Sequence, residues 1–364
     1  MSADLVVVGA GIIGAFVAHE ASLRHPDWDI LVLERGAVGG GTTAWSAGAS
    51  FPIVPTTAHR ELVRQSKERF ATLEDTAAGA FQRPVPMIYL THRDRIASFQ
   101  ARLAVPLRGL DKAERERLDE LFPDLRVGAD ERFVTHDGDG SVVQARPMAE
   151  AVLTAAMARG SVRVQTCQRV GAVSRLADGY QVTTDHAEWH ARKAVLAVGP
   201  WDLPTVDAAP EWGLLGGEGA RRKRVAALHS TLPVRRGDPL VYFLDDDLFV
   251  LPLADGAALV SFRSETWDLS PGQVDGSADE DDLRDGTAAL AARSAVAAAS
   301  VVGGRAFCDL YTHDRLPLVR VSPAAPGLAA VVGGSGSGVR LSPGLAAQAL
   351  DAITTTARRA VPTG

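Results

Sequence analysis

Cysteine is almost absent. Cys167 and Cys308 are the two in 364 residues, and they share no metal-type spacing. Neither a disulfide scaffold nor a cysteine-built metal site is expected. No stretch approaches the run of about eighteen apolar residues that a membrane-spanning helix needs. No charged n-region and apolar h-region precede the first strand, so a cytoplasmic protein is expected. Positive charge is not in excess: the net charge is −6, which argues against nucleic acid or an anionic membrane surface as partner. An acid–base dyad and a metal-ligand cluster are also missing. Asp245-Asp246-Asp247 has no companions at useful spacing and reads as a turn. What remains is ordinary globular composition, 46% hydrophobic and 23% charged, in a chain long enough for two domains or one large domain with an insertion.

The first thirty-four residues carry the clearest signal. Leu5 to Val8 is a short apolar run of the kind that forms a buried parallel strand. Gly9-Ala10-Gly11-Ile12-Ile13-Gly14 follows at once, then a helix-compatible segment, Ala15 to Leu23, then a second apolar run, Ile30 to Leu33, ending at Glu34. This is strand, G-x-G-x-x-G, helix, strand, acid. Gly9 allows the tight turn, Gly11 lets backbone approach a pyrophosphate, and Gly14 lets helix and strand pack closely. The helix N-terminus faces the phosphate charge, Ile12 and Ile13 within the motif are candidate cofactor contacts, and Glu34 can accept hydrogen bonds from ribose hydroxyls. The next stretch, Arg35 to Gly48, contains Gly41, Thr42, Thr43, Trp45, Ser46 and Ala47. It is too polar and glycine-rich for a strand, and its backbone amides and hydroxyls suit phosphate and cofactor contact.

Further along, His59 to Leu73 reads as a helix. Residues 80–141 change texture: Val85 to Leu90 is a strand candidate and Arg93 to Asp119 a solvated helical region. Residues 142–212 return to α/β texture, with a helix at Arg146 to Arg159, strands at Val162 to Val164, Val170 to Val173, Tyr180 to Thr184 and Lys193 to Val198, then Gly199-Pro200-Trp201. Residues 213–299 hold four strand candidates separated by turns, an antiparallel pattern, followed by a helix at Ser277 to Ala299. Within them, Arg221-Arg222-Lys223-Arg224 is a basic run that reads as a solvated sheet edge in preference to an anion site. The tail repeats a glycine-rich crossing from the strand Leu328 to Val332 through 333–344 into a helix at Leu345 to Thr354, a second place where backbone can meet a cofactor.

These pieces, in this order, resemble the FAD-dependent D-amino acid oxidase, glycine oxidase and sarcosine oxidase superfamily. The opening element with Glu34 is shared with other flavoproteins. The run Gly39 to Gly48 (G-G-G-T-T-A-W-S-A-G) is much more specific. Val142 to Trp201 is similar to the family's helix, strands and closing A-x-G-x-W. Gly336-Ser337-Gly338-Val339-Arg340-Leu341-Ser342-Pro343-Gly344 is similar to its second flavin-contacting loop. Aromatic hydroxylases and disulfide reductases keep a Gly-Asp pair near that loop; this chain does not. The resemblance implies an α/β fold: a Rossmann-like, doubly wound FAD-binding domain from 1–79, 142–212 and 300–364, with an inserted mixed α/β substrate domain of antiparallel sheet from 80–141 and 213–299. It implies pyrophosphate at Gly9 to Gly14, ribose at Glu34, adenine beside Val170, and the flavin ring between Trp45-Ser46 and Gly336 to Arg340.

The implied chemistry is hydride transfer from a small amine or amino acid to flavin N5, with the imine then hydrolysed in water. A dehydrogenase acting on a non-carboxylate amine or a hydroxy acid, or a tailoring enzyme of a biosynthetic pathway, is the alternative. The family's departures fall on four residues. Asp309 stands where glycine and D-amino acid oxidases keep an arginine for the substrate carboxylate, and is a candidate to hold an ammonium group. Arg340 takes the place of the sarcosine oxidases' lysine and is a candidate to hold a carboxylate bidentately. Cys308 is one residue out of register with their flavin-linking cysteine, so a packed thiol and a non-covalent flavin are expected. Val260 aligns with the lysine those oxidases place over the flavin.

Overall fold

The computed structural model describes residues 2–54, 56–138, 140–215 and 219–358. Its largest sheet, nine strands, grows from the first strand, Ser2–Val8. That strand pairs in parallel with Ile30–Leu33 on one side and Glu188–Leu196 on the other. Leu5, Val6, Val7 and Ile30 to Leu33 are almost wholly buried, as a parallel sheet covered on both faces requires. Helices Ile12–Arg24, Ala145–Ala158 and Gly338–Arg358 bury their apolar sides on one face. Beyond Glu188–Leu196 the sheet continues as the antiparallel strands Gly179–Thr184 and Val170–Leu176, and a second core on its other face holds Tyr180, Trp189 and Trp212.

A seven-stranded sheet stands beside it, in the order Val301–Tyr311, Arg221–Ser230, Ala258–Ser261, Leu248–Pro252, Leu240–Phe243, Met87–His92, Glu131–Thr135. Its neighbours are antiparallel except Leu240–Phe243 against Met87–His92. Helices Lys112–Leu121, Glu280–Arg293 and Ala295–Ala299 cover its back. Its front faces the first sheet across a cavity.

The fold departs from the sequence reading in identifiable places. Val301–Tyr311, placed with the nucleotide-binding part by sequence, is the edge strand of the seven-stranded sheet. The basic run is not an edge: Arg221–Ser230 pairs with Val301–Tyr311 on one side, and Arg222 and Arg224 bond backbone to Asp268 and Thr266 on the other. The solvated region from Arg93 holds a 3-10 turn at Arg93–Arg95 and α-helices at Ile96–Ala101 and Lys112–Leu121, the last opened by an Asp111–Glu114 capping box. Ser294 breaks the helix near 277–299, then caps the short helix that follows. The last helix begins at Gly338, not Leu345, and runs through Pro343. The amide of Gly344 is taken by Ser66 Oγ at 3.1 Å. A Cβ at Gly344 would lie 2.6 Å from that oxygen, so the last helix sits hard against Thr57–Ala71.

Candidate active site

The first sheet ends at one long cavity of about 590 Å³, and the sequence motifs line it. Gly9 turns the chain at φ +100°, where an added Cβ would meet the Ala197 carbonyl at 2.4 Å. A Cβ at Gly14 would fall 1.9 Å from the Gly9 carbonyl oxygen, so Gly14 fixes helix against turn rather than lining the cavity. Gly11 does line it, and the nearest atom to an added Cβ is Thr43 Oγ1 at 3.3 Å. Thr43 Oγ1 accepts the Ile12 amide at 3.0 Å. The helix carries no acidic residue in its first turn, which leaves its positive end open to an anion. Glu34 is held in place by the amides of Ala10 (2.7 Å) and Gly36 (2.8 Å). The Arg35 guanidinium lies 3.7 Å from the centre of the Trp201 ring, and Gly41 has no Cβ because that ring would meet it at 2.7 Å. Val170 and Gly199 complete this end. Open backbone amides, a helix N-terminus and a pinned carboxylate form the donor set a dinucleotide needs.

The other end lies between Trp45, Ser46, Ala47 and the turn Gly336-Ser337-Gly338-Val339. Thr42 Oγ1 donates to the Cys308 carbonyl at 2.9 Å and Arg305 donates to the Ser46 carbonyl at 3.2 Å, so the stretch from Thr42 to Ser46 is tied to the edge strand of the second sheet. That strand shows alternate residues to the cavity: Phe307, Asp309 and Tyr311. Cys308 is not among the lining residues, and burial pushes its thiol up to about 11. Val260 is packed in the core behind the second sheet; its neighbour Ser261 is the residue that lines the cavity. Leu341, expected at the flavin, is on the last helix but buried in the core, and does not line the cavity.

Two buried ionisable groups dominate this end. The Asp309 carboxylate accepts the amides of Leu310 and Gly336, each at 2.9 Å. Burial still pushes its carboxyl up to about 6, against the pull of those two amides. Arg340 donates through Nη1 to the carbonyls of Phe51 (2.8 Å) and Ile53 (3.0 Å). Its Nη2 reaches Ser337 Oγ at 3.2 Å and His59 Nε2 at 3.4 Å. The bidentate fork expected from sequence is therefore already engaged by the protein. Burial lowers the Arg340 pKa to about 10, and burial together with Arg340 lowers that of His59 to about 4.

Sequence reading missed Lys223, Tyr242, Phe249 and Tyr311, which floor the cavity from four strands of the second sheet. Strand alternation is the signal that could have found them, once the strands were known to face the cofactor. Among the described residues, His92, Glu131 and Asp245 bring ligand atoms within 4.8 Å of one another. Both carboxylates are already held, Glu131 by Arg293 and Asp245 by Arg95.

The chain belongs to the family of FAD-dependent oxidoreductases, whose model matches residues 4–352. It is an FAD-dependent oxidoreductase enzyme of that family. Among solved structures it is similar to NikD, an amino acid oxidase essential for nikkomycin biosynthesis, at 18% identity and TM-score 0.78, covering 100% of this chain and 95% of that one. Glycine oxidase from Geobacillus kaustophilus is similar at 20% identity and TM-score 0.76, covering 97% and 95%. L-proline dehydrogenase from P. horikoshii is similar at 16% identity and TM-score 0.80, covering 97% and 94%. No curated protein matches it by sequence. Among the described residues no helix is long and apolar enough to cross a membrane.

Proposed function

We propose that the protein oxidises a C–N bond of a small amino acid or amine to an imine, which water then hydrolyses. One observation carries this reading: a single cavity joins the dinucleotide cradle to an aromatic-floored pocket with Arg340 and Asp309 at the junction. In this reading the first sheet and its helices bind FAD, and the second sheet presents the substrate. Gly11, Ile12, Ile13, Glu34, Arg35, Thr42 and Thr43 hold the phosphates and sugars; Val170 and Gly199 border the adenine end. Trp45, Ser46, Ala47 and Gly336 to Val339 flank the ring. FAD, when bound, supplies the two-electron acceptor for the Cα–H hydride.

The protein's own groups orient the substrate and exclude water. Phe51 packs against Tyr242 and Phe249, with ring centres 5.2 Å and 5.7 Å away, and makes this part of the wall aromatic. With its Nη atoms engaged, Arg340 attracts a carboxylate as a fixed charge in a low-dielectric wall. Asp309 is the partner for an ammonium group and sets the second reading, an amine without a carboxylate. Anaerobic bleaching of the FAD-loaded protein by amino acids, N-methyl amino acids and polyamines tests both. Bleaching by carboxylate substrates, with weakened affinity in Arg340→Ala, supports the first reading. Bleaching by polyamines alone, lost in Asp309→Asn, supports the second. No bleaching by any amine refutes the proposal.

A further inference from the structure

The four cations of the basic run are not alike. Arg221 pairs with Asp268, Arg222 with Asp202, and Arg224 with Asp279 and Asp282. Lys223 has no acidic partner among the described residues, although it is only 9% exposed. It stands opposite Asp309 in the strand register and lines the cavity. Its ammonium rests near two aromatic faces, Trp267 at 5.1 Å and Tyr311 at 5.4 Å. Asp247 and Glu265 act on it only through space, against Arg263 and Arg315. Asp247 is bound by the Tyr242 hydroxyl and Glu265 by Arg263. A buried ammonium whose close contacts are ring faces, with no carboxylate in ion-pair contact among the described residues, is costly unless an anion joins it.

Arg340 and Lys223 are held by different residues. Arg340 is held by Phe51, Ile53, Ser337 and His59, and Lys223 rests on Trp267 and Tyr311. Both line one cavity, and neither has a carboxylate partner among the described residues. We propose that Lys223 is a specificity-determining residue that binds a second anionic group of the substrate, at a different wall from Arg340, so that the site selects ligands with two separated anions. This inference rests on the substrate reading above, and it adds that the amino acid is itself acidic in its side chain.

The test is a binding measurement that needs no turnover. The FAD-loaded protein is titrated with unreactive straight-chain diacids (succinate, glutarate, adipate) and with monoacids of equal length, following the flavin absorbance. At least one diacid should bind tenfold or more tighter than its monoacid. That ratio should fall below threefold in Lys223→Met and survive in Lys223→Arg. A ratio near one in the unaltered protein, or a ratio that persists in Lys223→Met, overturns the inference. Should Lys223→Met fail to load FAD, Lys223→Gln carries the same measurement; failure of both would show a structural lysine and overturn it too. A protein that prefers diacids but is bleached by no amino acid keeps the inference and loses the function proposed above, so the two failures are distinguishable.

Discussion

Asp309→Asn separates the buried charge from the hydrogen bonds that surround it. The carboxylate accepts two amides, one at each oxygen. Asparagine can accept at one oxygen only, and its NH2 group would face the second amide. Leaving a buried N–H without a partner costs about 1–3 kcal/mol at every pH. The charge behaves differently. Burial raises the folded pKa from 3.8 to about 6, so the folded state binds the proton more tightly than the unfolded one. Stability from this group is fully present below pH 3.8 and falls as pH rises to about 6. The total loss is about 3 kcal/mol, of which about 2 kcal/mol falls between pH 4.5 and 7.5. Asparagine has no such titration. Relative to the parent, the variant should therefore be less stable at pH 4.5 and gain about 2 kcal/mol by pH 7.5. Urea unfolding at fixed FAD concentration, followed by tryptophan fluorescence at both pH values, measures the swing. A swing below about 0.5 kcal/mol, or one of opposite sign, would refute the burial argument.

Gly11→Ala should fold and load FAD weakly, because its Cβ meets only Thr43 Oγ1 at 3.3 Å; Gly11→Val, which fills the cradle, should purify without flavin colour. Gly14→Ala should fail to accumulate as folded protein, since its Cβ would lie 1.9 Å from a backbone oxygen; recovery of soluble, FAD-loaded protein would contradict the packing described. Arg340→Ala strips a charged donor from two carbonyls and should lower stability by about 3 kcal/mol, with Arg340→Lys in between; a denaturation midpoint equal to the parent's would show that the clamp on Phe51 and Ile53 is not formed. After acid denaturation the flavin should stay in the supernatant, and a coloured pellet that is lost in Cys308→Ala would show a covalent link.

Much of the cofactor end was legible because its chemistry is backbone chemistry. A glycine is needed where a Cβ would strike the chain, as at Gly9 and Gly14, or a packed ring, as at Gly41, and such places are marked in the sequence itself. The parallel strands were legible for a related reason: being covered on both faces, Leu5 to Val8 and Ile30 to Leu33 must be apolar throughout. The turn at 245–247 showed as a cluster of aspartates.

The substrate end was decided by tertiary contact. Nothing local distinguishes Lys223 from Arg222 and Arg224; strand alternation turned one lysine inward, and the segment ending at Trp267 covered what had read as an open edge. Apart from Ser337, the partners of Arg340 come from residues 51–59, the Phe51 carbonyl being 289 positions away in the chain, and they convert an expected carboxylate fork into an engaged guanidinium. Asp309 owes its raised pKa to burial between two sheets, although its own strand pattern would suit either face. The physical reason is common to all three. Backbone geometry is written in which residues can occupy a position, whereas the ionisation and pairing of a side chain depend on what the rest of the fold brings to it.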